Sequence, residues 1–221
     1  MKTAIVIPAH NEAKTIGALV KSITDLNGDV IVVDDGSCDD TASLAKAGGA
    51  LVISTSTKSG KGNALRLAFA QALGQGYDAV ITLDGDGQHS PSDIGRFLEC
   101  YQKTKAGIIS GNRMHNPCGM PWLRRATNGF MSWMISLICH QKIMDTQCGF
   151  RLITTKVLKS IVLECNDFEI ETEILIKASK KGFRVVSVPI QTIYRDEVSK
   201  INPLRDTLRF IRYMSAEILK L

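Results

Sequence analysis

The chain has 221 residues, 44% of them hydrophobic and 22% charged, with a formal net charge of +5. This composition supplies a sizeable core for one α/β domain and excludes disordered, collagen-like and small disulfide-stapled proteins. Six cysteines with no C-x-x-C pair and no spaced histidine partners exclude a zinc or redox motif and point to reduced thiols in a cytosolic protein.

In chain order, short β-branched runs alternate with longer amphipathic stretches, the pattern of βαβ units around a mostly parallel sheet flanked by helices. The first apolar run, ending at Pro8, is far shorter than a secretory leader and reads as a strand over Thr3–Ile7. A helix over Glu12–Leu26 with Asn11 as its cap leads to a strand over Val30–Val33, a helix over Asp40–Lys46 and a strand over Ala50–Ser54. Then follow a helix over Lys61–Leu73, a strand over Ala79–Leu83 and a helix over Ser92–Lys103 introduced by Ser90 and Pro91. Strands over Gly107–Ser110 and Arg184–Pro189 complete the sheet, and Arg124–Gln141 between them reads as a helix. Its most apolar part, Phe130–Cys139, is broken by Ser132 and Ser136 and is about half of the roughly 20 residues that a membrane span requires. Pro203 opens a last helix with Leu204, Leu208, Ile211, Met214, Ile218 and Leu221 at three- and four-residue spacing, an apolar stripe flanked by Arg205, Arg209 and Arg212. Residues 1–200 thus form the domain, and 201–221 a C-terminal amphipathic helix that either packs on it or contacts a membrane.

Ligands of open α/β sheets bind beyond the carboxyl ends of the strands. Three polar clusters fall there: Pro8–Glu12, Asp34–Thr41 and Asp84–His89. Adjacent carboxylates such as Asp34 and Asp35 are costly unless hydrogen-bonded or neutralised, and the N–H and O–H donors of a ribose or base would serve. Asp39 and Asp40 read as residues that start the next helix. Asp84, Asp86 and Gln88 place hard oxygens where Mg²⁺ or Mn²⁺ could share coordination with a substrate phosphate. An EF-hand is excluded, because the twelfth position counted from Asp84 is Gly95. Lys58–Asn63 opens a helix and reads as a phosphate cradle, without Walker A spacing. No G-x-G-x-x-G follows the first strand, which argues against a nicotinamide enzyme.

Six segments together resemble family 2 glycosyltransferases, most closely the polyprenyl-phosphate sugar transferases of the dolichol-phosphate mannose or glucose synthase type. They are Pro8-Ala9-His10-Asn11-Glu12; Asp34-Asp35-Gly36-Ser37 with Asp39 and Thr41; Gly60-Lys61-Gly62; Asp84-x-Asp86-x-Gln88-His89; Gly111-x-Arg113; and Asp145-Thr146-Gln147-Cys148-Gly149-Phe150-Arg151. The resemblance spans about Ile5 to Lys200. It implies a GT-A fold, a GDP- or UDP-linked sugar donor and a divalent ion bridging the diphosphate. It further implies that Pro8, Ala9, Glu12, Asp34, Asp35 and Lys61 hold the nucleoside, that Asp84 serves its ribose or metal side, and that Asp86 and Gln88 ligate the metal. Arg113, Arg151, Arg195, Ser199 and Lys200 would hold phosphates, and Asp145 would act as a base or orient Arg113 or Arg151. His10 stands where an aromatic is usual, Asp40 where glycine is usual and Lys58 where asparagine is frequent, departures that bear on base preference.

Charge is uneven along the chain. Residues 1–99 carry 8 basic and 12 acidic side chains, residues 100–221 carry 19 and 10, and no acid occurs from Cys100 to Met144. That half is either a solvated basic face or one that meets an anionic surface. Trp133 and the arginines before it suit a helix in a headgroup interface, and a core helix is the plainer reading. The expectation is a metal-dependent, inverting transfer of a mannose- or glucose-class sugar to polyprenyl phosphate, peripheral on the cytoplasmic face, with anchoring direct or through a partner and no nucleic acid involved. The rivals are transfer to a glycan hydroxyl and a non-catalytic nucleotide-sugar-binding membrane protein; a processive synthase lacks support without a Q-x-x-R-W motif.

Overall fold

The computed structural model describes residues 1–115, 120–191 and 212–214. Its strands are β1 (Thr3–Ala9), β2 (Asp29–Asp34), β3 (Leu51–Ser54), β4 (Ala79–Thr82), β5 (Ile108–Asn112), β6 (Arg151–Thr154) and β7 (Val185–Pro189). They form one sheet in the order β3-β2-β1-β4-β6-β5-β7. All run parallel except β6, which pairs antiparallel with both β4 and β5. The helices are α1 (Ile16–Thr24), α2 (Thr41–Ala47), α3 (Lys61–Gly74), α4 (Ile94–Thr104), α5 (Trp122–Cys139), α6 (Thr155–Ser160) and α7 (Ile170–Lys180).

The strands lie between two apolar layers, so they read as continuous apolar runs rather than as alternation. Ala4 and Val6 face one layer with Leu65 and Phe69 of α3, Ile135 of α5 and Ile174 of α7. Ile5 and Ile7 face the other with Ile16 and Val20 of α1 and Phe97 of α4. Among the described residues, the five cysteines are all free.

The expected strands are all present, but β6, α6 and α7 were not assigned from the sequence. The four residues of β6 carry only Leu152 and Ile153 as apolar signal, too little to stand out, yet all four are buried. The first helix starts at Ile16 rather than Glu12, and Asn11 does not cap it. Asn11 adopts a left-handed φ of 54° and its Oδ1 accepts from Cys38 N–H at 2.8 Å. Of the expected C-terminal helix, only Arg212–Met214 are described, and they are helical. Met214 is 3% exposed within the layer that holds Ile135 and Ile138, so at this residue the stripe packs on the domain.

One backbone junction sets the start of α3. Glu173, fully buried on α7, accepts from Glu164 N–H at 2.9 Å and Cys165 N–H at 3.0 Å, and Lys177 Nζ lies 2.7 Å away. The loop so held presents the Asn166 carbonyl to Gly62 N–H at 2.7 Å and Asn63 N–H at 3.2 Å. A Cβ on Gly62 would collide with the Cys165 carbonyl, and Gly60, at φ 100°, is equally close to Asn166. Gly62→Ala should therefore cost about 1–3 kcal/mol by forcing two backbones apart. Urea denaturation should show a lower midpoint with an unchanged slope.

Candidate active site

The carboxyl ends of β1, β2 and β4 lie at one sheet edge, and the reversal of β6 brings the chain preceding Arg151 to the same edge. The loops are stitched together. His10 Nδ1 lies 2.8 Å from the Asp35 carbonyl, Asn11 N–H donates to Ser37 Oγ at 2.9 Å, and Glu12 N–H donates to Thr41 Oγ1 at 2.8 Å. Thr15 Oγ1 donates to the Gly85 carbonyl at 2.6 Å. Ala9 and Glu12 pack against Gly85, and Pro8 faces the space beside Asp84. Asp39 Oδ1 accepts from Thr41 N–H at 3.1 Å, the helix-start role expected of it, and buried Asp34 accepts from Ser37 N–H at 3.2 Å.

The donors that Asp35 needs come from the chain itself. Its carboxylate accepts from Ser59 N–H at 2.7 Å, Ser59 Oγ at 2.6 Å and Gly60 N–H at 2.8 Å. Burial opposes ionisation, but these bonds outweigh it and hold the pKa below the usual carboxylate value. Asp35 therefore braces the Gly60 loop. In the Lys58–Asn63 segment the amides of Ser59 and Gly60 serve Asp35, and those of Gly62 and Asn63 serve Asn166, which leaves the Lys61 side chain as the group turned to the site.

Lys61 Nζ lies 2.6 Å from Asp84 Oδ1 and 2.6 Å from Glu171 Oε1 on α7. Burial favours loss of its proton, yet the two carboxylates prevail and raise its pKa. Burial likewise opposes the charge on Asp84, and Lys61, with His89 and Arg113 further off, holds its pKa low. Asp86 has no such partner. Burial and the neighbouring Asp84 charge push it up to about 6, against one hydrogen bond at 2.9 Å from Gln88 N–H. The Gln88 side chain has no hydrogen-bond partner among the described residues. Asp84 and Asp86 are thus under an electrostatic tension that a divalent cation would relieve, with Gln88 two residues further along the same loop. Among the described residues, no group of three or more His, Cys, Asp and Glu side chains gathers at a point, so the chain would supply a partial set, completed by diphosphate oxygens.

On the other side, Asp145 is fully buried and saturated. Arg113 donates to it through Nε at 2.8 Å, Nη2 at 3.0 Å and its backbone N–H at 3.2 Å, and Gln147 N–H adds a bond at 3.1 Å. Burial raises the Asp145 pKa, but Arg113 overrides it and holds the acid well below its usual range. Of the two roles expected of Asp145, base or orienting partner, these bonds describe one that fixes the plane of the Arg113 guanidinium. Arg113 Nη1 is left without a partner among the described residues. Arg151, 1% exposed, is committed to carbonyls: Nε to Cys148, Nη2 to Thr146 at 2.7 Å and Nη1 to Glu171. It braces the 145–150 loop through these carbonyls. Ser132 and Ser136 of α5, which interrupt the apolar run, dock that loop through Thr146 N–H and Ile143 N–H, both at 3.0 Å. One turn earlier, buried Asn128 has an amide nitrogen with no partner among the described residues.

Arg195, Ser199 and Lys200 lie outside the described residues. Sequence reasoning missed Glu171, Glu173 and Asn128. The available signal was a charged or amide residue at helical spacing to buried apolar ones, as Glu171 is to Ile174 and Leu175.

The raised Asp86 value has a stability consequence. A carboxyl held near 6 when folded, above 3.8 when unfolded, favours the folded state below about pH 4 and loses that contribution as pH rises through 6. In EDTA, Asp86→Asn should melt above the wild type at pH 7–8, and the gap should close near pH 4. A mutant melting lower at every pH would show that no such tension exists.

The sequence profile of Glycosyl transferase family 2 matches residues 4–162. The chain is 30% identical over 215 residues to a UDP-N-acetylglucosamine–dolichyl-phosphate N-acetylglucosaminyltransferase of Methanococcus voltae, covering 87% of this chain and 86% of that protein. It is 28% identical over 212 residues to an undecaprenyl-phosphate mannosyltransferase of Micrococcus luteus, covering 89% and 85%. The fold matches glucosyl-3-phosphoglycerate synthase from Mycobacterium tuberculosis, solved with Mn²⁺, UDP and phosphoglyceric acid, with a TM-score of 0.73 at 21% identity over 99% of this chain and 78% of that one. The parallel sheet with one reversed strand is thus the GT-A fold, and with the profile match it makes the chain a member of glycosyl transferase family 2, a glycosyltransferase.

Proposed function

We propose that this glycosyltransferase moves a mannose- or glucose-class sugar from a GDP- or UDP-linked donor to a polyprenyl phosphate, with inversion and with Mg²⁺ or Mn²⁺ at Asp84, Asp86 and Gln88. The observation that carries the acceptor class is the Arg113–Asp145 clamp. A hydroxyl acceptor must lose a proton and needs a base within about 3 Å. Asp145 has no exposed surface and no free lone pair, whereas a phosphate acceptor is already an anion and needs only cationic positioning. The names of the two curated relatives, which act on dolichyl and undecaprenyl phosphates, support the same class.

In this reading the ion supplies positive charge where the leaving diphosphate develops its negative charge. The remaining work belongs to the chain. Pro8, Ala9, Glu12 and Asp34 shape the floor and rim that receive the nucleoside, and Lys61 adds charge beside them. Arg113, its plane fixed by Asp145, offers Nη1 to the acceptor phosphate. The unpartnered amide of Asn128 is a second donor, since a buried donor left unmade costs about 1–3 kcal/mol. Arg195, Ser199 and Lys200 remain assigned to that phosphate through the family resemblance.

The acceptor's chain needs an apolar surface, and α5 carries one. Leu123, Phe130, Trp133 and Leu137 are each more than half exposed on one side of the helix, with Trp122 79% exposed at its start beside exposed Arg124 and Arg125. Among the described residues, no helix is long and apolar enough to cross a membrane. We therefore place the enzyme peripherally on the cytoplasmic face of an anionic membrane, through α5 directly or with an anchoring partner.

Two experiments test the reading. Transfer to a short prenyl phosphate should be rapid and transfer to the matching prenyl alcohol negligible, and EDTA should abolish both. Turnover on the alcohol at a similar rate would move the assignment to a hydroxyl acceptor. The paired change Phe130→Ser, Trp133→Ser should lower partitioning onto anionic vesicles about tenfold or more while the melting temperature stays within a few degrees, since both rings are solvent-exposed. Vesicle binding by the wild type should weaken at high salt, because charge attraction is screened within about 10 Å at 0.1 M.

A further inference from the structure

Lys61 spans two carboxylates of unequal standing. Asp84 belongs to the hard-oxygen set at the end of β4. Glu171 stands apart from it on α7, its backbone carbonyl held by Arg151. The ammonium cannot retreat inward. A Cβ on Gly149 would lie 2.8 Å from Asp84 Oδ2, 2.8 Å from Glu171 Oε1 and 3.2 Å from Lys61 Nζ, so the Gly149 backbone closes the rear of the cluster. The cavity bounded by Pro8, Thr82, Gly149 and four charged side chains, Lys61, Asp84, Arg151 and Glu171, holds about 10 Å³, room for about one water.

Nothing in the fold requires Lys61 to reach both acids. The first turn of α3 is already fixed by Asp35 and Asn166 through backbone amides. The side chain can therefore change partners without disturbing the helix. A cation arriving at Asp84 meets Lys61 on Oδ1 at ion-pair distance, and two positive charges on one carboxylate oxygen repel.

On the reading that a divalent ion binds at Asp84, we propose that Lys61 is an internal cation that holds Asp84 until the ion arrives, and that Glu171 is the positioning residue that keeps the displaced ammonium in the site, turned toward the donor diphosphate. Glu171 lowers the barrier to metal entry by giving Lys61 a second seat. Without it, Lys61 rests wholly on Asp84 and competes with the ion.

The test is titration of Mn²⁺ alone, followed by electron paramagnetic resonance, on the wild type, Lys61→Met, Glu171→Gln and the double variant. Competition predicts about tenfold tighter binding in Lys61→Met and about tenfold weaker binding in Glu171→Gln, with the double variant within about twofold of Lys61→Met because no ammonium remains for Glu171 to seat. Two charges acting only through space would add, and a double variant returning to the wild-type affinity would overturn the proposal. Glu171→Asp guards against a folding defect: it keeps the charge and shortens the reach, so weaker Mn²⁺ binding at an unchanged melting temperature supports a seat, and unchanged binding overturns it. Failure of Mn²⁺ to bind the wild type would overturn the metal reading and this proposal with it, whereas binding with additive effects would remove this proposal alone.

Discussion

Crowded negative charge at the carboxyl edge of the sheet is the constraint around which the rest of the molecule is arranged. Asp34, Asp35, Asp84, Asp86, Asp145 and Glu171 all come to that edge partly or fully out of water, where each ionised acid costs free energy unless something compensates it. The chain compensates in three ways: backbone amides for Asp35, an ammonium for Asp84 and Glu171, and a guanidinium for Asp145. Asp86 has one such amide, that of Gln88, and burial with the neighbouring Asp84 charge displaces its pKa upward. Local imbalance of this kind is characteristic of places built to receive a charged ligand.

Each compensation dictates backbone. For Lys61 to reach Asp84, α3 must begin where it does, and that beginning presses Gly60 and Gly62 against residues 165 and 166. The loop carrying those residues is held in turn by Glu173, a carboxylate that touches no part of the site. Arg151 performs the equivalent task for the 145–150 loop. Two fully buried charged residues therefore act as struts. Removing either would leave several backbone groups without partners, a cost that apolar packing does not replace.

Much of this was legible from the residues. The strands of the first half announced themselves as uninterrupted β-branched runs, and the polar clusters at their ends fell at one edge because parallel strands share polarity. What was not legible depended on partners distant in sequence. The bracing bonds of Asp35 were hidden because its donors, at Ser59 and Gly60, lie 24 and 25 residues away. The bracing role of Arg151 was not legible, because an arginine two residues after a glycine gives no sign that three carbonyls await it. Glu171 was invisible for the converse reason: an acid in an amphipathic helix looks solvated, and only the tertiary structure shows it 110 residues from its lysine and beside it in space. Strand β6 escaped because its four residues depend on neighbours on both sides rather than on their own pattern.

Helix α5 has two faces with different obligations. Its inner side grips the loop of Asp145 through Ser132 and Ser136, and its outer side displays Phe130, Trp133 and Leu137 to the surroundings. The two faces belong to one rigid rod of 18 residues, so whatever seats the outer face also fixes the roll and tilt of the inner one. A rotation about the helix axis would draw the serine hydroxyls sideways, and Asp145, saturated by hydrogen bonds, would carry the guanidinium plane of Arg113 with it. The helix is thus a lever between the outer surface and Arg113, with two serine hydroxyls among its bearings on the loop.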